Sequence, residues 1–221
     1  DASVTLETAE QWKDVSLING KSIFTGEEIW NIENLDYLDK YFVHNLNWGE
    51  GNFIQKLEAQ LEPTPNATKK LCAEMIWLML LSPSNIGPAK KREIVNTIMS
   101  WGGGGIEPSH PLFTDEVLAG VGSAGMGFNN FRWKELVYFI RLLQEFYSFS
   151  DDRKRQLLND GEEFSKWLEG IEENETRQFR HMLLFLLFPD DHDRIFAAGD
   201  RVKVASAFSG KPKSELYKLK I

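Results

Sequence analysis

The chain has 221 residues, of which 42% are hydrophobic and 26% are charged, and its formal net charge is -8 at pH 7. This composition excludes intrinsic disorder, which needs low hydrophobicity together with a high charge fraction. Cys72 is the only cysteine, so an intramolecular disulfide and a cysteine-rich zinc site are excluded as well. The composition predicts a folded protein of a reducing compartment, and we expect it to be cytoplasmic.

Membrane insertion and export are not predicted. The longest apolar run, residues 71–81, contains Glu74 and is shorter than the stretch of about 20 residues that crosses a bilayer. Residues 1–10 are acidic and polar, without the basic and apolar regions of a signal peptide. We therefore expect no membrane partner.

The first helices are predicted from apolar spacing. Residues 31–45 carry apolar side chains at steps of three and four positions, which places them on one helical face. A short helix over residues 53–61 follows and is stopped at Pro63. Asn66 is then predicted to be the N-cap of a helix over residues 67–81, because its side chain can accept from the free amides of the first turn.

The helix over residues 67–81 is apolar nearly all round, which is typical of a helix that runs through the core. Glu74 is its exception. A buried carboxylate needs a base or a hydrogen-bond donor, so a structural partner is predicted for Glu74, with a catalytic acid or base as the alternative.

The remaining helices follow from the same periodicity and from capping residues. Ser150 is a predicted N-cap, and the helix that it starts is expected to bend or break at Gly161. Asp200 is the predicted cap of a last short helix. The other predicted helices cover residues 89–101, 130–147 and 175–188. The side chains predicted to be deeply buried in the core are Met75, Leu78, Trp133, Ile140, Leu183 and Leu187.

These elements predict an all-α fold, an irregular multi-helix domain. Only residues 22–30 could hold a short strand, and they could equally be irregular. A single module over residues 1–221 is predicted, and a subdivision into 1–101 and 128–221 is left open, with the glycine-rich residues 102–127 as the seam.

Two glycine motifs resemble nucleotide-binding sequences without completing them. Gly120, Gly122 and Gly125 spell G-x-G-x-x-G. The preceding residues 115–119 indicate a short helix or a turn and not the buried strand that a dinucleotide fold requires, so a structural loop is predicted. Lys21 and Ser22 end a phosphate-loop pattern whose first glycine is replaced by Val15. We therefore expect no cofactor and no nucleoside-triphosphate hydrolysis by this chain.

Residues 190–193 are three aspartates and His192. Side chains of this kind could ligate a hard metal. They directly follow a helix that ends at Pro189, so a polar turn is predicted and no metal site. No nucleophile-elbow pattern supports a catalytic triad.

Charge is distributed unevenly along the chain. Residues 1–62 hold twelve acidic and four basic residues, whereas residues 194–221 hold seven basic and two acidic ones. Any contact with nucleic-acid phosphates is therefore predicted near the C-terminal end, with a second basic cluster earlier in the chain; the alternative is a solvated polar tail. The predicted contact residues are Arg194, Arg201, Lys203, Lys211 and Lys213, with Lys90, Lys91 and Arg92 as the second cluster.

The segment 180–204, RHMLLFLLFPDDHDRIFAAGDRVKV, resembles the helical region that precedes the motor in proteins with a McrB-like AAA+ NTPase domain. Those proteins have an apolar helix, then Phe-Pro-Asp, an acidic residue, Arg-Ile and a basic residue before another helix. The matching residues here are Phe188, Pro189, Asp190, Asp193, Arg194, Ile195 and Lys203. The order of the upstream segments FIQKLEAQL, AEMIWLMLL and GVGSAGMGFNNFRWKEL is similar to the same family.

The resemblance implies a non-catalytic N-terminal recognition or regulatory domain of a bacterial restriction or anti-phage defence system. Its expected partners are DNA or a phage component, and AAA+ motor or nuclease subunits through the parent protein. The AAA+ phosphate loop itself does not occur in the chain, which makes the sequence similar to an excised N-terminal region or to a relative that lost its motor. Because a fold or family analogy does not establish activity, two alternatives stay open: a protein-interaction scaffold, and an unrecognised enzyme with a site in the seam.

Overall fold

The computed structural model describes residues 2–219. The predicted all-α, irregular multi-helix architecture is confirmed: 67% of the chain is helical. No strand forms within residues 2–219, where pairing is limited to two isolated bridges, Lys21 with Glu28 and Pro83 with Gly122. Residues 22–30 are thus irregular, one of the two forms predicted for them.

The first half of the chain contributes six α-helices, and two of them run on into a short π-helical turn. Their bounds are α1 Ala2–Trp12, α2 Ile32–Leu38, α3 Phe53–Leu61, α4 Asn66–Leu81, α5 Pro88–Trp101 and α6 Asp115–Leu118, with π turns at Lys13–Ile18 and Asp39–Val43.

The second half contributes seven more. Their bounds are α7 Gly125–Asn130, α8 Arg132–Ser148, α9 Asp151–Asn159, α10 Gly161–Leu168, α11 Phe179–Leu187, α12 Ala198–Ser209 and α13 Lys213–Lys218. Short 3₁₀ turns at Pro111–Phe113 and Asn174–Thr176 complete the helical structure within residues 2–219.

Helix α4 lies at the centre of the core, as its all-round apolar sequence predicts. Every residue from Leu71 to Leu81 is buried. Helix α5 packs along it, and α2, α6 and α8 contact other parts of its surface. A helix that is apolar on all faces must be enclosed by other elements, and this requirement explains why so many short helices surround α4.

Helices from the first half of the chain pack against helices from the second half in this core. Helix α1 packs against α11, and α2 packs against α8. Aromatic side chains join further parts of this core: the rings of Trp12 in α1 and Trp30 meet edge to face at 5.6 Å, and those of Phe139 in α8 and Phe179 in α11 lie 4.7 Å apart. Residues on either side of the glycine-rich seam therefore share one core.

Several local predictions about helix ends are confirmed. The Ser150 side chain accepts from the Arg153 amide and caps α9. The predicted break at Gly161 is present, where α9 ends and Asp160 caps α10. Residues 115–118 form the short helix that was one alternative for the segment before Gly120.

Other local predictions were wrong. Asn66 is the first residue of α4 rather than its cap, because Pro65 occupies the capping position. Asp200 lies inside the first turn of α12, which Ala197 precedes. Helices α1 and α13 were not predicted at all: α1 buries Trp12 mainly alongside threonine and alanine, and α13 buries a single leucine. Neither helix carries the apolar stripe on which the prediction relied.

The G-x-G-x-x-G motif forms a structural loop at residues 120–124, as predicted, and its last glycine, Gly125, begins α7. Gly120 has φ +80, and a Cβ there would lie 2.5 Å from the carbonyl oxygen of Pro83. A Cβ at Gly122 would lie 2.6 Å from the carbonyl oxygen of Arg194. The glycines thus allow the seam to pack directly against the end of α4 on one side and the chain leading to α12 on the other.

Candidate recognition surface

The second predicted basic cluster, at the start of α5, is only partly on the surface. Lys91 is fully buried and its Nζ donates to the Leu118 carbonyl at 2.7 Å. Burial lowers the pKa of Lys91 to about 7. Arg92 is tied to the Phe113 carbonyl and to Asp115. The prediction of Lys91 as a surface contact is therefore wrong, because its amine links α5 to the end of α6. Of the three residues of this cluster, only Lys90 is exposed, and its ion pair is with Glu93 of the same helix.

The C-terminal basic residues all lie on or beside α12 and α13. Arg194, Lys203, Lys211 and Lys213 are exposed. Arg201 is half-buried, donating to the Ile195 carbonyl at 3.0 Å and lying 3.5 Å from Asp193. The five predicted residues thus lie on or next to two helices that pack against each other.

Local acids neutralise part of this charge. Lys203 pairs with Asp200 at 2.8 Å, and Lys211 lies 3.3 Å from Glu215. Such exposed pairs are weak and easily exchanged for other anions. Within residues 2–219, neither Arg194 nor Lys213 makes an ion pair, which leaves both free to meet an external anion.

The same two helices expose large apolar side chains. Phe208 is 90% exposed. The others are Val204, Tyr217 and Leu219. Helices α12 and α13 pack against each other, and each buries a single side chain, Val202 and Leu216 respectively. Helices α12 and α13 therefore combine exposed positive charge with exposed apolar side chains, a mixture typical of recognition surfaces.

A pocket of about 250 Å³ lies beneath α12 and α13, against the start of α11. Its polar wall is formed within residues 175–181 and consists of Glu175, Thr176, Arg177, Gln178, Arg180 and His181. Tyr217 of α13 also lines the pocket. Burial together with the nearby cations Arg201 and Arg180 lowers the pKa of His181 to about 2. The ring is therefore neutral, and the Arg180 Nε donates to its Nε2 at 3.1 Å.

A second pocket, of about 220 Å³, has aromatic walls and lies at the N-terminal end of α8. Trp48 is 78% exposed and meets Trp133 edge to face at 6.0 Å. Trp133 was predicted to be deeply buried; it is only half-buried because it forms the pocket wall. No periodicity in the sequence signals that the loop carrying Trp48 folds back on α8.

Glu74 has the structural partners that were predicted for it. Its carboxylate accepts from the Ser22 hydroxyl, from the Trp30 indole at 2.7 Å and from the Ile23 amide at 3.3 Å. Burial raises the pKa of Glu74 to about 7, against these hydrogen bonds, which lower it. Ser22, the last residue of the incomplete phosphate-loop pattern, is thereby committed to the core.

The acidic turn after α11 is a polar loop in the structure. Asp193 accepts from the Ile195 amide at 2.9 Å and lies near Arg201. Within residues 2–219, no group of three or more His, Cys, Asp and Glu side chains is arranged to hold a metal ion. No helix in that same part of the chain is long and apolar enough to cross a membrane.

No protein family, curated protein or solved structure matches this chain.

The functional assignment therefore depends on the surfaces described above and on the sequence resemblance. Among these surfaces, the one formed by α12, α13 and the pocket beneath them carries the exposed cations predicted from charge next to a pocket that the sequence did not reveal. We call it the C-terminal basic surface.

Proposed function

We propose that this chain is a non-catalytic recognition domain of a McrB-like restriction or defence NTPase and that it contacts nucleic acid through the C-terminal basic surface. One observation carries the proposal: exposed cations on α12 and α13 lie beside a pocket whose wall includes the buried Arg177 and the half-buried Arg180. The basic residues of this region stand out because the whole chain has a net charge of -8 and its first 62 residues hold twelve acidic and only four basic residues.

Phosphate contacts explain this distribution physically. Lysine and arginine side chains that meet phosphates displace condensed counterions, so they supply affinity that is independent of base sequence. An acidic remainder repels the same polyanion and restricts contact to one face. The expected mode is therefore binding through the backbone of the nucleic acid, with modest sequence preference from this surface.

Charge reversal at Lys211 and Lys213 tests the proposal. The wild-type chain and a Lys211→Glu, Lys213→Glu variant are titrated with a fluorescent DNA duplex at several salt concentrations. We expect weaker binding by the variant at every salt concentration and a salt slope shallower by roughly one to two, since about one unit is lost per phosphate contact.

A matched control changes the same charge elsewhere. Lys40 and Lys166 are exposed lysines outside the C-terminal basic surface, so a Lys40→Glu, Lys166→Glu variant has the same net charge as the test variant. We expect it to keep most of the affinity. Equal losses in both variants would indicate a bulk charge effect and would refute this surface as the contact.

The second candidate function is a protein-interaction scaffold, which the uncovered side chains of α12 and α13 favour. Phe208, at 90% exposure, would anchor such a contact, as buried aromatics do in interfaces. Under this hypothesis, Phe208→Ser lowers the affinity for the AAA+ motor of the parent protein, measured by biolayer interferometry, and leaves DNA titrations unchanged. Absence of DNA binding even at low salt would favour this second function over the first.

A further inference from the structure

The aromatic pocket at the N-terminal end of α8 has polar groups as well as apolar walls. Its walls include the rings of Trp48 and Trp133 and of two phenylalanines, and Lys56 and Gln60 of α3 line it as well. Apolar walls with a few polar groups are typical of small-molecule sites. The volume of about 220 Å³ is smaller than that of drug-sized sites, roughly 300–1,000 Å³, so this pocket suits a ligand with a single ring.

The two tryptophans offer a ligand ring both kinds of aromatic contact. Trp48 is 78% exposed, and its ring plane is inclined by 84° to that of Trp133. Aromatic rings attract each other in offset-stacked and in edge-to-face arrangements. A ring stacked on one of these indoles would lie nearly perpendicular to the other, so both indoles could contact it favourably. The large exposed surface of Trp48 would then be covered.

Gln60 supplies a hydrogen-bond acceptor to the pocket lining. The residue is only 6% exposed, and its Nε2 donates to the Asn45 carbonyl at 2.6 Å. That bond holds the amide group in place. Within residues 2–219 the Gln60 Oε1 receives no hydrogen bond, and it is not sealed off from solvent. A carbonyl oxygen fixed in this way can accept from an N–H or O–H group of a ligand.

Lys56 gives the pocket its charge. Among the described residues that line the pocket, it is the only charged one. It precedes Gln60 by four positions on α3, which places both side chains on one face of the helix. Its ammonium makes no ion pair within residues 2–219. An unpaired ammonium at the wall repels a cationic ligand and attracts one that carries a negative charge.

We propose that this pocket binds a small aromatic carboxylate. The ring of the ligand lies against Trp48 and Trp133, its carboxylate pairs with Lys56, and an N–H or O–H group on the ring donates to Gln60. Each of the unused groups of the pocket then has a partner of the matching kind, which a neutral aliphatic ring or an aromatic amine would not provide. The inference goes beyond the proposed function, because it concerns a different surface and does not depend on nucleic-acid binding.

A series of related probes separates the three interactions. The probe para-hydroxyphenylacetate has the aromatic ring, the carboxylate and the hydroxyl donor. Tyramine carries an ammonium in place of the carboxylate, phenylacetate lacks the donor, and cyclohexylacetate lacks the aromatic ring as well. Each probe is titrated into the isotope-labelled chain, and the indole N–H signals of the tryptophans are followed by nuclear magnetic resonance.

We expect para-hydroxyphenylacetate to bind saturably and to shift the indole signals of Trp48 and Trp133. Phenylacetate should bind about tenfold more weakly, because it lacks one hydrogen bond, and cyclohexylacetate more weakly still. Tyramine should not bind, because its ammonium faces Lys56.

Substitutions in the pocket assign each interaction to a residue. Lys56→Met removes the charge at similar length and should weaken para-hydroxyphenylacetate binding by about tenfold, and Trp48→Ala should weaken it at least as much. Gln60→Met should abolish the preference for para-hydroxyphenylacetate over phenylacetate. Lys166 is an exposed lysine of α10 outside the pocket, so Lys166→Met should bind like the wild type.

The spectrum of each variant first shows whether it is folded. If Gln60→Met does not fold, the comparison of the two probes on the wild type tests the acceptor, and Lys56→Met and Trp48→Ala carry the remaining test. Three results would each overturn the inference: no saturable shift of the Trp48 and Trp133 signals with para-hydroxyphenylacetate, binding of tyramine as tight as that of the carboxylate, or unchanged affinity in both Lys56→Met and Trp48→Ala.

Discussion

At the scale of single residues, the buried polar side chains link distant parts of the chain. Glu74 ties α4 to residues 22–30 through Ser22 and Trp30, and Lys91 ties α5 to the end of α6. The Ser22 hydroxyl also accepts from the amides of Phe24 and Thr25. An irregular segment lacks the regular backbone hydrogen bonds of a helix or a sheet. Buried side chains such as Ser22 and Glu74 therefore accept from its backbone amides instead.

Glu74→Ala tests this residue-scale network. It leaves the Trp30 indole and the Ser22 hydroxyl without an acceptor, at about 1–3 kcal/mol for each unsatisfied buried donor. We therefore expect a loss of several kcal/mol in the free energy of unfolding, measured by urea denaturation. Glu58 is an exposed helical glutamate, so Glu58→Ala should change stability by less than about 0.5 kcal/mol.

The pH dependence of this effect has a definite sign. In the folded protein the pKa of Glu74 is raised from 4.5 to about 7, so the folded state holds the proton more tightly than the unfolded state. The stabilising contribution is complete below pH 4.5 and is lost as the pH rises to about 7. The stability gap between the wild type and Glu74→Ala should thus narrow between pH 4.5 and pH 8, and a gap that widens would contradict the raised pKa.

At the scale of elements, the central helices owe their positions to apolar contacts. Helix α11 is the clearest case: Leu183 is 1% exposed and lies in a contact layer with Trp12 of α1 and Leu143 and Phe146 of α8. Three elements far apart in sequence therefore meet at one leucine. The predicted burial of Leu183 is confirmed, as is that of Met75, Leu78, Ile140 and Leu187.

Leu183→Ala should lower the free energy of unfolding by about 2–5 kcal/mol, through lost transfer energy and the cavity that remains. Chemical denaturation followed by tryptophan fluorescence measures this directly, since Trp12 lies in the same layer. Leu219 is 57% exposed, so Leu219→Ala provides a control that removes the same atoms from the surface. Similar losses in the two variants would contradict the assigned position of α11.

At the scale of the whole molecule, contacts between helices of the first and second halves of the chain predict cooperative unfolding. Because α1 packs on α11 and α2 packs on α8, separation at the seam would expose apolar surface on both sides. We therefore expect residues 1–101 and 128–221 to unfold as one unit rather than as two domains.

This expectation is tested with two probes in one urea titration. Far-ultraviolet circular dichroism reports helix content, and near-ultraviolet circular dichroism reports the packing of the aromatic core. The two transitions should coincide, and Leu183→Ala in α11 and Leu57→Ala in α3 should each shift the entire transition. Separate midpoints, or a shift confined to one phase, would show that the halves fold independently.

The sequence by itself determined most of the element structure. Apolar spacing and the proline at position 63 predicted α3 and α4 to within a residue or so, and Ser150 predicted the start of α9. These are local effects, which depend on side chains within one or two helical turns. Burial of Glu74 with a structural partner was also predictable, because a carboxylate inside an apolar helix has few other stable arrangements.

Only the tertiary structure decided which charged residues face the solvent and which elements form a site. Lys91 and Arg92 are neighbours with the same sequence character, yet one amine is buried against α6 and the other side chain is partly exposed. One wall of the pocket beneath α12 and α13 comes from residues 175–181, while Tyr217 of α13 lines it from a distant part of the sequence. Contacts between residues tens of positions apart depend on how helices cross, and no local pattern of apolar or charged residues encodes that crossing.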